Sequence, residues 1–586
     1  MRLFIEQLIT KKEVGFWFLF FLLNSLLFLP WYLMDMENTQ FFPVSYLIEG
    51  SLYDRLKSIF NRYNYDIFRL SLDFFLLTIS AYLLSKWFSK SIRSLMIFFI
   101  VLYLLLLFYQ LYSSFFQQIY SVTPLFFNDF TLLKNGYQIF ISSFSFNTFL
   151  LCIATVLLIG GIVITLKLML GYITQLKFGI ISWGFVVVFI VMGAMSFYRY
   201  KKIVMPNFGF QMISKLIVDN IQSSFQTMEA VNNMNFQRLE DYNKSIEFDL
   251  RVKPNIYVLF IESYGRICLD NKELRTEYYQ WMDSMQIRLK DENWSVASAL
   301  SEAPVKGGGS WVSYTSFTLG YSLKNRGVFR TFLEDEKIKK YNHFFRWLRN
   351  KGYKNYRLTS LVEPKNFSIP WDTYSAFYSV DQWIRFSDLD FQGKLVGAGP
   401  APPDQYSLNY AYELIKEDNQ KPFTLFFITK NSHNPFVSPT NIAEDWSSLN
   451  LKSNTGQKGE SIFTKPSMDN YKNSIKYELR TVEDFIIKNG TNDDLFLIIG
   501  DHQPPVLTSR NAGFETPFHI ISKDKELIHS FTAYGFKQAL IPSVDIEPLK
   551  HEGFYSIFLR EMKRHYGKDS TNLPPYLPNG INLDAK

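Results

Sequence analysis

The sequence predicts a protein in two parts: an N-terminal α-helical membrane domain of five spans, and an α/β domain outside the cytoplasm. Two observations predict this fold class. Residues 1–200 contain long apolar runs with few charges, whereas residues 250–586 have the composition of an ordinary globular chain. In the second part, three nearly continuous apolar runs each lead into carboxylate or imidazole side chains, which is typical of an α/β sheet with a site at its edge.

The overall composition limits the class of protein. The chain has 586 residues, of which 47% are apolar and 18% aromatic, and this apolar content excludes a disordered protein. The two cysteines exclude a disulfide scaffold: Cys152 lies in a predicted span, and Cys268 is interpreted as a packing residue of the globular part. The net charge of +7 is small for this length and includes no basic block, so we expect no nucleic-acid partner.

Five stretches are long and apolar enough to be membrane spans, since a transmembrane helix needs about 20 mostly apolar residues. They cover roughly residues 15–34, 66–88, 94–116, 147–170 and 178–198. The first resembles a signal peptide, but no small-residue cleavage site follows it. The other stretches favour an anchored, multi-pass chain, so residues 1–198 are predicted to be a transmembrane domain with five helices.

The distribution of basic residues predicts the orientation, because cytoplasmic loops are enriched in Lys and Arg. Lys11 and Lys12 precede the first span, and Lys86, Lys90 and Arg93 separate the second span from the third. The loop between the third and fourth spans carries few basic residues, as expected of a loop outside the cytoplasm. The basic residues that follow the fifth span go against the rule. With the N-terminus inside and five spans, the globular part is predicted to lie outside the cytoplasm.

The rest of the chain divides into a connector, a domain and a tail. Residues 199–250 are polar and helix-compatible, and we expect them to pack on the membrane face or on the globular domain. Residues 251–567 form the predicted catalytic domain, in which 441–466 has the composition of a surface loop. Residues 568–586 are rich in Pro and Asn and are predicted to be an extended tail.

Three predicted strands lead into residues that bind metals or transfer protons. NIYVLFIES reaches Glu262, FTLFFITKNSHNPF reaches His433, and DLFLIIGDHQPP reaches Asp501 and His502. Helices are predicted between these strands, at 326–350, 404–418 and 469–488. Because sites in open α/β sheets form at the carboxyl ends of the strands, we expect these side chains to converge.

Each of these residues also has a purely structural interpretation. Taken alone, Glu262 is more often a solvated residue or the neighbour of a helix N-cap, and His433 is more often structural. Asp501 and His502 give a stronger signal, because an adjacent Asp and His can supply two ligands to one cation. His519 lies within another apolar run, where a histidine is more often structural, although it could reach the site.

The segment KGGGSWVSYTSFTLGYS, residues 306–322, is the expected position of a nucleophile. Its glycines permit close approach of the backbone to an anion, and Ser310 follows at the start of a predicted helix, where free N–H groups suit a phosphate. The alternative is an ordinary N-cap serine after a flexible loop, and the local sequence does not separate the two. The segment is neither a P-loop nor a G-x-S-x-G motif. Further nucleophile candidates lie downstream, at Ser313, Thr315 and Ser316.

These motifs together resemble those of a known family. Glu262 and Ser263 after a strand, the Gly-rich loop with Ser310, a strand followed by His433, and the Gly-Asp-His of residues 500–502 occur in the same order in the membrane-anchored branch of the alkaline phosphatase/sulfatase superfamily. The layout of N-terminal spans and an outer domain resembles the phosphoglycerol transferases of the lipoteichoic acid synthase type and of the periplasmic glucan type. The resemblance implies a sulfatase/alkaline-phosphatase-like fold for the outer domain.

The chain departs from relatives of this type in three respects. Lipoteichoic acid synthases usually carry Thr as the nucleophile, where this chain offers Ser310, which is chemically equivalent. The x-Pro-x-Arg that follows the nucleophile of classical sulfatases is absent after both Cys268 and Ser310, which argues against sulfate ester hydrolysis. The phosphoethanolamine transferases of this superfamily are usually disulfide-rich, whereas this chain has only two, separated cysteines. This difference argues against that branch.

The resemblance implies one divalent cation, held by Glu262, Ser310, Asp501 and His502. Mn²⁺ is favoured by the carboxylates, with Zn²⁺ or Mg²⁺ as alternatives. Ser310 is expected to attack the phosphorus of a phospholipid head group, and His433 to contact the phosphate or protonate the leaving alkoxide. Substrate contacts are expected at three further residues, Lys306, Trp371 and Asp372.

The function predicted from the resemblance is the transfer of phosphoglycerol from phosphatidylglycerol to a hydroxyl of an envelope glycan, glycolipid or polymer, by way of a phospho-Ser310 intermediate. Phosphoethanolamine transfer is one alternative. An envelope phosphodiesterase or sulfatase-like hydrolase is another, and a non-catalytic membrane protein with a degenerate domain is the third. The sequence does not identify the acceptor.

Overall fold

The structure, a computed structural model, describes most of the chain. The described residues are 10–34, 51, 66–87, 92–119, 123–129, 146–200, 209–323, 326–334, 340–362, 371–397, 399–452, 466–508 and 512–583. Contacts divide the chain into two units, the first comprising Met1–Gln118 with Thr123–Phe225, and the second Gln226–Lys586 with Ile119–Val122. Most of the loops at 35–65 and 117–146, which bear on the orientation, lie outside the described residues.

The first unit contains five apolar helices that overlap the five predicted spans. They are α1 (Lys11–Met34), α2 (Leu72–Trp87), α3 (Ile92–Ile119), α4 (Phe146–Gln175) and α5 (Ile180–Tyr200). Among the described residues, three stretches are long and apolar enough to cross a membrane, namely Lys11–Met34, Ser94–Gln117 and Cys152–Gln175. The second helix has only 16 residues and so rises about 24 Å, less than the roughly 30 Å of a bilayer core.

Short strands and buried polar groups connect the helices of the first unit. Strands β1 (Leu70–Ser71) and β2 (Phe210–Gln211) pair in parallel. Asp73, at the start of α2, accepts hydrogen bonds from the backbone N–H groups of Ile213 and Ser214. It therefore caps the helix that begins at Ile213. This ionisable residue of the second predicted span is therefore used in a contact between elements.

The connector contributes to both units. It contains α6 (Ile213–Asn232) and α7 (Gln237–Ser245). In the first unit, the Tyr109 hydroxyl donates to the Leu216 carbonyl of α6. In the second unit, the chain after α7 packs on the globular domain, where the Trp347 indole N–H donates to the Ile246 carbonyl. The connector therefore has one contact with an apolar helix of the first unit and another with the globular domain.

The second unit is built on a mixed sheet of eight strands. They are β3 (Asn255–Ile261), β4 (Ser295–Glu302), β5 (Lys354–Thr359), β6 (Gln382–Arg385), β7 (Phe423–Ile428), β8 (Asp494–Gly500), β9 (Glu515–Ser522) and β10 (Leu549–Lys550). The strand order is β10-β4-β9-β8-β3-β7-β5-β6. All neighbours are parallel except β9, which runs antiparallel to both β4 and β8.

The predicted α/β class is confirmed, and the antiparallel strand is the difference from the parallel pattern that the apolar runs indicated. Between Gly500 and Glu515 the described residues form no helix, so the chain lacks the usual helical crossover to a parallel partner. Strand β9 therefore returns beside β8 in the opposite direction.

Helices cover both faces of this sheet. They are α8 (Ile267–Asp270), α9 (Lys272–Asp291), α10 (Ser310–Leu319), α11 (Arg326–Glu334), α12 (Phe344–Asn350), α13 (Trp371–Tyr378), α14 (Asp404–Asp418), α15 (Met468–Asn489), α16 (Lys525–Ser530) and α17 (Phe554–Tyr566). One core packs α9, α14 and α15 on the face that carries Tyr257 and Leu259. On the opposite face, Phe317 of α10 packs against Phe260 and Phe554.

Two of the three helices predicted in the domain have nearly the expected bounds, α14 and α15. The predicted helix at 326–350 is instead divided into α11 and α12, and His343 caps the second by accepting from the Arg346 N–H. The loop predicted at 441–466 is irregular over its described part, with one 3-10 turn at Trp446–Asn450, and residues 453–465 lie outside the described residues.

The tail after α17 has no regular structure, yet it is packed against the domain. Leu583 is fully buried, and its carbonyl accepts from the Asn235 N–H of the connector. The Ile581 N–H donates to the carbonyl of Gly320, the C-cap residue that follows α10. The tail therefore holds the connector and the carboxyl end of α10 together.

Candidate metal centre and nucleophile

The carboxyl ends of β3 and β8 bring two acidic residues together. These strands are parallel neighbours with Ile261 opposite Gly500, so the next residues, Glu262 and Asp501, leave the sheet side by side. The Ser263 N–H donates to Asp501 Oδ1 at 2.7 Å, and this requires Ser263 to adopt a left-handed backbone with φ of 59°. The turn after β3 is thus shaped around the Asp501 carboxylate.

Glu262, Asp501 and His502 form a buried cluster. One ligand atom from each lies within 4.8 Å of the others, and all three side chains are at most 3% exposed. The His502 Nε2 atom is 3.5 Å from Glu262 Oε1 and 3.5 Å from Asp501 Oδ2. The other ring nitrogen, Nδ1, lies 2.8 Å from the Gln503 carbonyl, which identifies Nδ1 as an N–H donor and leaves Nε2 facing the carboxylates.

The charges of the cluster perturb one another. Burial raises the pKa of Asp501, and the negative charge of Glu262 raises it further, to about 7. Burial alone would raise the pKa of Glu262, but the nearby positive charges of His502, His433 and Lys430 lower it to about 2. Burial opposes charging of His502, while Asp501 and Glu262 favour it, and its pKa is raised on balance.

The cluster fits a divalent cation. Asp501 Oδ2 is buried and has no hydrogen-bond donor, which is costly for a carboxylate oxygen unless another group compensates it. Two buried carboxylates and one imidazole nitrogen are ligands of the kind that Mn²⁺, Zn²⁺ and Mg²⁺ accept. A bound dication would satisfy the unpaired oxygen and offset the repulsion between Glu262 and Asp501.

Ser310 lies at the edge of this cluster. Its hydroxyl donates to Glu262 Oε2 at 3.1 Å and lies 3.3 Å from His502 Nε2. It is the first residue of α10, and it is held there by Gly308 and Gly309, whose φ angles of 65° and 76° are poorly accessible to residues with a Cβ atom. The glycine run is therefore required for the turn that presents the hydroxyl.

The downstream nucleophile candidates are occupied by structural contacts. Ser313, Thr315 and Ser316 are fully buried in α10, whereas Ser310 is half-buried. The Ser313 hydroxyl donates to the Asp501 carbonyl at 2.5 Å, and Thr315 bonds the Tyr378 hydroxyl. Of these four residues, only Ser310 has its hydroxyl in contact with the side chains of the acidic cluster.

A loop after β7 brings positive charge to the same edge. His433 is exposed there, with Nδ1 2.8 Å from the Asn434 carbonyl, and its charge lowers the pKa of Glu262. Lys430, which the sequence reasoning missed, acts on Glu262 in the same way. Its sequence signal was its position, two residues past the end of a buried strand.

Buried polar contacts fix this loop. Thr429 Oγ1 accepts from the Glu262 N–H at 3.0 Å, and the Ser432 hydroxyl donates to the Glu262 carbonyl at 2.7 Å. Asp404, at the start of α14, accepts from the N–H groups of Lys430 and Asn431 at 2.6 and 2.7 Å. The position of the loop therefore depends on both Glu262 and Asp404.

A second buried acid faces Asp404. Both oxygens of Glu478 on α15, and Oδ1 of Asp404, are buried without a hydrogen-bond donor. Burial raises the pKa of Glu478 well above its usual range, and the Asp404 carboxylate raises it further. One proton shared between the two carboxyl groups satisfies this geometry.

Two buried histidines do not contact the cluster, but they bond groups on the strands and turns that lead to it. His551 is buried with Nε2 3.2 Å from the carbonyl of Gly500, the residue before Asp501, and burial lowers its pKa to about 4. His519 lies inside the sheet, with its ring nitrogens 2.7 Å from Ser298 Oγ and 3.0 Å from Tyr264 Oη.

The predicted substrate contacts lie at different distances from the cluster. Lys306 precedes the glycine run, is 5% exposed, and its carbonyl accepts from the Gln503 N–H at 2.9 Å. Trp371 and Asp372 begin a separate helix, α13, whose far end reaches α10 through Tyr378. Trp371 itself packs edge-on against Trp383, with ring centroids 4.8 Å apart.

Comparison with known proteins bears on the second unit of the chain. Residues 295–544 match the family model described as Sulfatase. The matched range includes Ser310, Asp501 and His502, and it begins after Glu262. The resemblance of the outer domain to the alkaline phosphatase/sulfatase superfamily is thereby confirmed. A comparison with curated proteins found no match.

Solved structures include several that are similar to this chain at low sequence identity. A protein in the alkaline phosphatase superfamily from Vibrio parahaemolyticus is 16% identical, with a TM-score of 0.37 over 59% of this chain and 77% of that chain. The lipoteichoic acid synthase LtaP from Listeria monocytogenes is 13% identical, with a TM-score of 0.35 over 59% and 82%. The soluble domain of lipooligosaccharide phosphoethanolamine transferase A from Neisseria meningitidis is 12% identical, with a TM-score of 0.35 over 58% and 98%.

Proposed function

We propose that this protein transfers the phosphoglycerol head group of phosphatidylglycerol to a hydroxyl of a cell-envelope glycan, glycolipid or polymer. The observation that carries the proposal is the Ser310 hydroxyl, 3.1 Å from Glu262 Oε2 and 3.3 Å from His502 Nε2, at the rim of a buried acidic cluster. An accessible hydroxyl beside a cation site is the arrangement needed for a covalent phospho-enzyme.

The cation of this proposal is a single Mn²⁺, with Zn²⁺ and Mg²⁺ as the alternatives. Glu262, Ser310, Asp501 and His502 would hold it, three of them through oxygen, which favours manganese. When bound, the cation would lower the pKa of the Ser310 hydroxyl and offset negative charge on the phosphate.

The reaction proceeds in two displacements. The Ser310 hydroxyl releases its proton to water, its oxygen attacks the phosphorus of the donor, the P–O bond to diacylglycerol breaks, and the leaving oxygen takes a proton. His433, exposed on the loop after β7, donates that proton. The acceptor hydroxyl then attacks phospho-Ser310 and loses its proton to His433, while the P–O bond to Ser310 breaks and the freed serine oxygen takes a proton from water.

The substrate contacts of the proposal surround this centre. The backbone N–H groups and positive end of α10 favour the phosphate. Lys306 adds positive charge near the glycine run. Trp371 and Asp372 contact the glycerol or the acceptor.

The membrane part supplies the donor. The five apolar helices form five spans of a bacterial cell membrane, with the N-terminus in the cytoplasm. The protein is therefore an anchored, multi-pass membrane protein whose catalytic domain lies outside the cytoplasm. Three of the helices contain stretches that meet the length and hydropathy expected of a span. Anchoring raises the local concentration of a lipid substrate at the site.

A trapped-intermediate experiment tests the proposal. The full chain in detergent is incubated with Mn²⁺ and either phosphatidylglycerol or phosphatidylethanolamine, without acceptor, and the peptide of residues 307–322 is analysed by mass spectrometry. We expect a glycerophosphate adduct on Ser310. Ser310→Ala should abolish the adduct, whereas Ser316→Ala, which changes a buried hydroxyl of the same helix, should retain it.

The other outcomes separate the alternatives. A phosphoethanolamine adduct would keep the mechanism and change the donor. Hydrolysis of phosphodiester or sulfate esters without an adduct from either lipid would favour a hydrolase. A chain that binds no divalent cation would favour a non-catalytic role and contradict the proposal.

Metal binding has its own matched control. Asp501→Asn should remove a ligand and abolish the bound metal measured by elemental analysis. Asp494→Asn changes a buried carboxylate at the other end of the same strand, where it bonds Asn255, and should leave the metal content unchanged. Equal metal content in Asp501→Asn and the wild type would contradict the assignment of the cluster.

A further inference from the structure

A buried guanidinium group lies under the helix that carries Ser310. Arg357 on β5 is 5% exposed, and its Cζ atom lies over four aromatic rings. The distances from Cζ to the ring centroids are 5.2 Å for Tyr314, 4.6 Å for Tyr378, 4.4 Å for Trp383 and 4.8 Å for Phe426. These rings form an aromatic cage around the charge, and their faces compensate part of the cost of burying it.

The caged cation lacks hydrogen-bond acceptors. The Nε and Nη1 atoms of Arg357 are both buried without a partner. Within the described ranges, no carboxylate forms an ion pair with it, and four ring centroids lie within 5.2 Å of its Cζ atom. Burial of a charged donor without an acceptor is unfavourable, so the group is incomplete in the protein alone.

A second arginine nearby shows how this fold completes such a group. Arg346 on α12 donates from Nε to Ser379 Oγ at 3.0 Å, from Nη1 to the Tyr341 carbonyl at 2.8 Å, and from Nη2 to the Ala376 carbonyl at 2.9 Å. Each of its nitrogens therefore has an acceptor. Arg357 differs because its Nε and Nη1 atoms have no acceptor, although its Cζ atom lies over aromatic rings.

The cage lies on the side of the sheet that carries the nucleophile helix. Arg357 is in register with Phe426 of β7 and Trp383 of β6, so the three side chains lie on one face. Tyr314 belongs to α10, four residues after Ser310, and therefore lies on the same side of that helix. A ligand held by Arg357 would thus be adjacent to the helix that presents Ser310.

We propose that Arg357 and its aromatic cage form an anion subsite that binds a phosphate group. The planar guanidinium presents parallel N–H donors along two edges, Nη2 with Nε and Nη2 with Nη1, and either pair matches two oxygens of a phosphate, which is the acceptor that the buried nitrogens lack. This subsite is separate from the cluster of Glu262, Asp501 and His502. Only the identity of the molecule that carries the phosphate, lipid donor or anionic acceptor, rests on the proposed function.

Phosphate binding by the chelator-treated full chain tests the subsite without catalysis. The chain is kept in EDTA, which removes divalent cations, and is titrated with inorganic phosphate in a calorimeter. The wild type should bind about one equivalent through Arg357. Arg357→Met, which keeps the length of the side chain without its charge, should lose this binding.

Two further variants keep the test decisive if Arg357→Met does not fold. Arg357→Lys retains the charge without the fork and should bind phosphate about tenfold more weakly, since a charge-assisted hydrogen bond of this kind contributes at least one decade of affinity. Arg346→Lys, at the arginine with satisfied donors, should bind phosphate as the wild type does. Phosphate held only by the N-terminus of α10 would persist in Arg357→Met.

Equal affinity in the wild type and both Arg357 variants would overturn the proposal, as would a wild type that does not bind phosphate. The source of the phosphate follows from the kinetics of Arg357→Lys. A higher KM for phosphatidylglycerol in vesicles would assign the subsite to the donor, and a higher KM for a phosphate-bearing acceptor would assign it to the acceptor. Unchanged KM values for both substrates would contradict a substrate subsite, independently of the Ser310 adduct.

Discussion

The buried pair of Asp404 and Glu478 makes the stability of the outer domain depend on pH. Glu478 has its pKa raised well above its usual value of 4.5 by burial and by the neighbouring carboxylate. The folded protein therefore keeps a proton that the unfolded chain releases above about pH 4.5. The change that tests this is Glu478→Gln, which preserves the shape of the side chain and cannot release a proton.

The sign and size of the effect follow from proton linkage. Because the folded state binds the extra proton, wild-type stability falls as the pH rises from the unfolded pKa towards the folded one. Each pH unit in that interval costs about 1.4 kcal/mol for one proton. Between about pH 5.5 and about pH 7.5, Glu478→Gln should therefore become steadily more stable relative to the wild type, by up to about 1.4 kcal/mol per pH unit.

The measurement is the free energy of unfolding of both full-length chains in urea, followed by tryptophan fluorescence at each pH. Glu483→Gln on the same helix is the matched control. Glu483 is buried and paired with Arg288, whose Nη2 donates to it at 2.7 Å, so its loss should destabilise the chain at both pH values. If the difference between Glu478→Gln and the wild type is the same at both pH values, the shared proton is refuted.

Three further substitutions test separate features. Gly309→Ala forces a Cβ into a backbone with φ of 76°, at a cost of about 1–2 kcal/mol, and should lower the yield of the Ser310 adduct measured by mass spectrometry. Burial lowers the pKa of His519 to about 3, so wild-type stability should fall below pH 6.5 by about 1.4 kcal/mol per unit, and His519→Gln should flatten acid unfolding followed by circular dichroism. Leu583→Ala removes a fully buried side chain and should cost about 2–4 kcal/mol, read as a lower thermal midpoint of the full chain. A wild-type midpoint would show that the tail contributes little.

Much of the candidate site could be predicted from local sequence. Buried parallel strands are nearly continuous apolar runs, and their carboxyl ends share one edge, so Glu262, His433 and Asp501 could be expected at the same edge. The structure brings Glu262, Asp501 and His502 within 4.8 Å of one another. The glycine run gave a second local signal, because a left-handed turn before a helix requires residues without a Cβ atom.

The remainder depends on contacts between distant segments. Asp404 and Glu478 are 74 positions apart, and neither is unusual in its own helix; only packing makes them share a proton. Arg357 occupies a strand position that reads as an ordinary polar residue, and its cage comes from four other elements. The antiparallel course of β9 likewise depends on a connection whose shape is not encoded in the strand itself.

The packing of the tail determines where the outer domain can be cut for expression. A fragment beginning at residue 251 would follow the change in composition, yet it would discard α7 together with the buried side chains of Leu239, Tyr242 and Ile246. Removing the last residues would delete Leu583, whose backbone bonds Asn235. A soluble fragment should therefore span residues 226–586, because the connector at its start and the tail at its end bind each other.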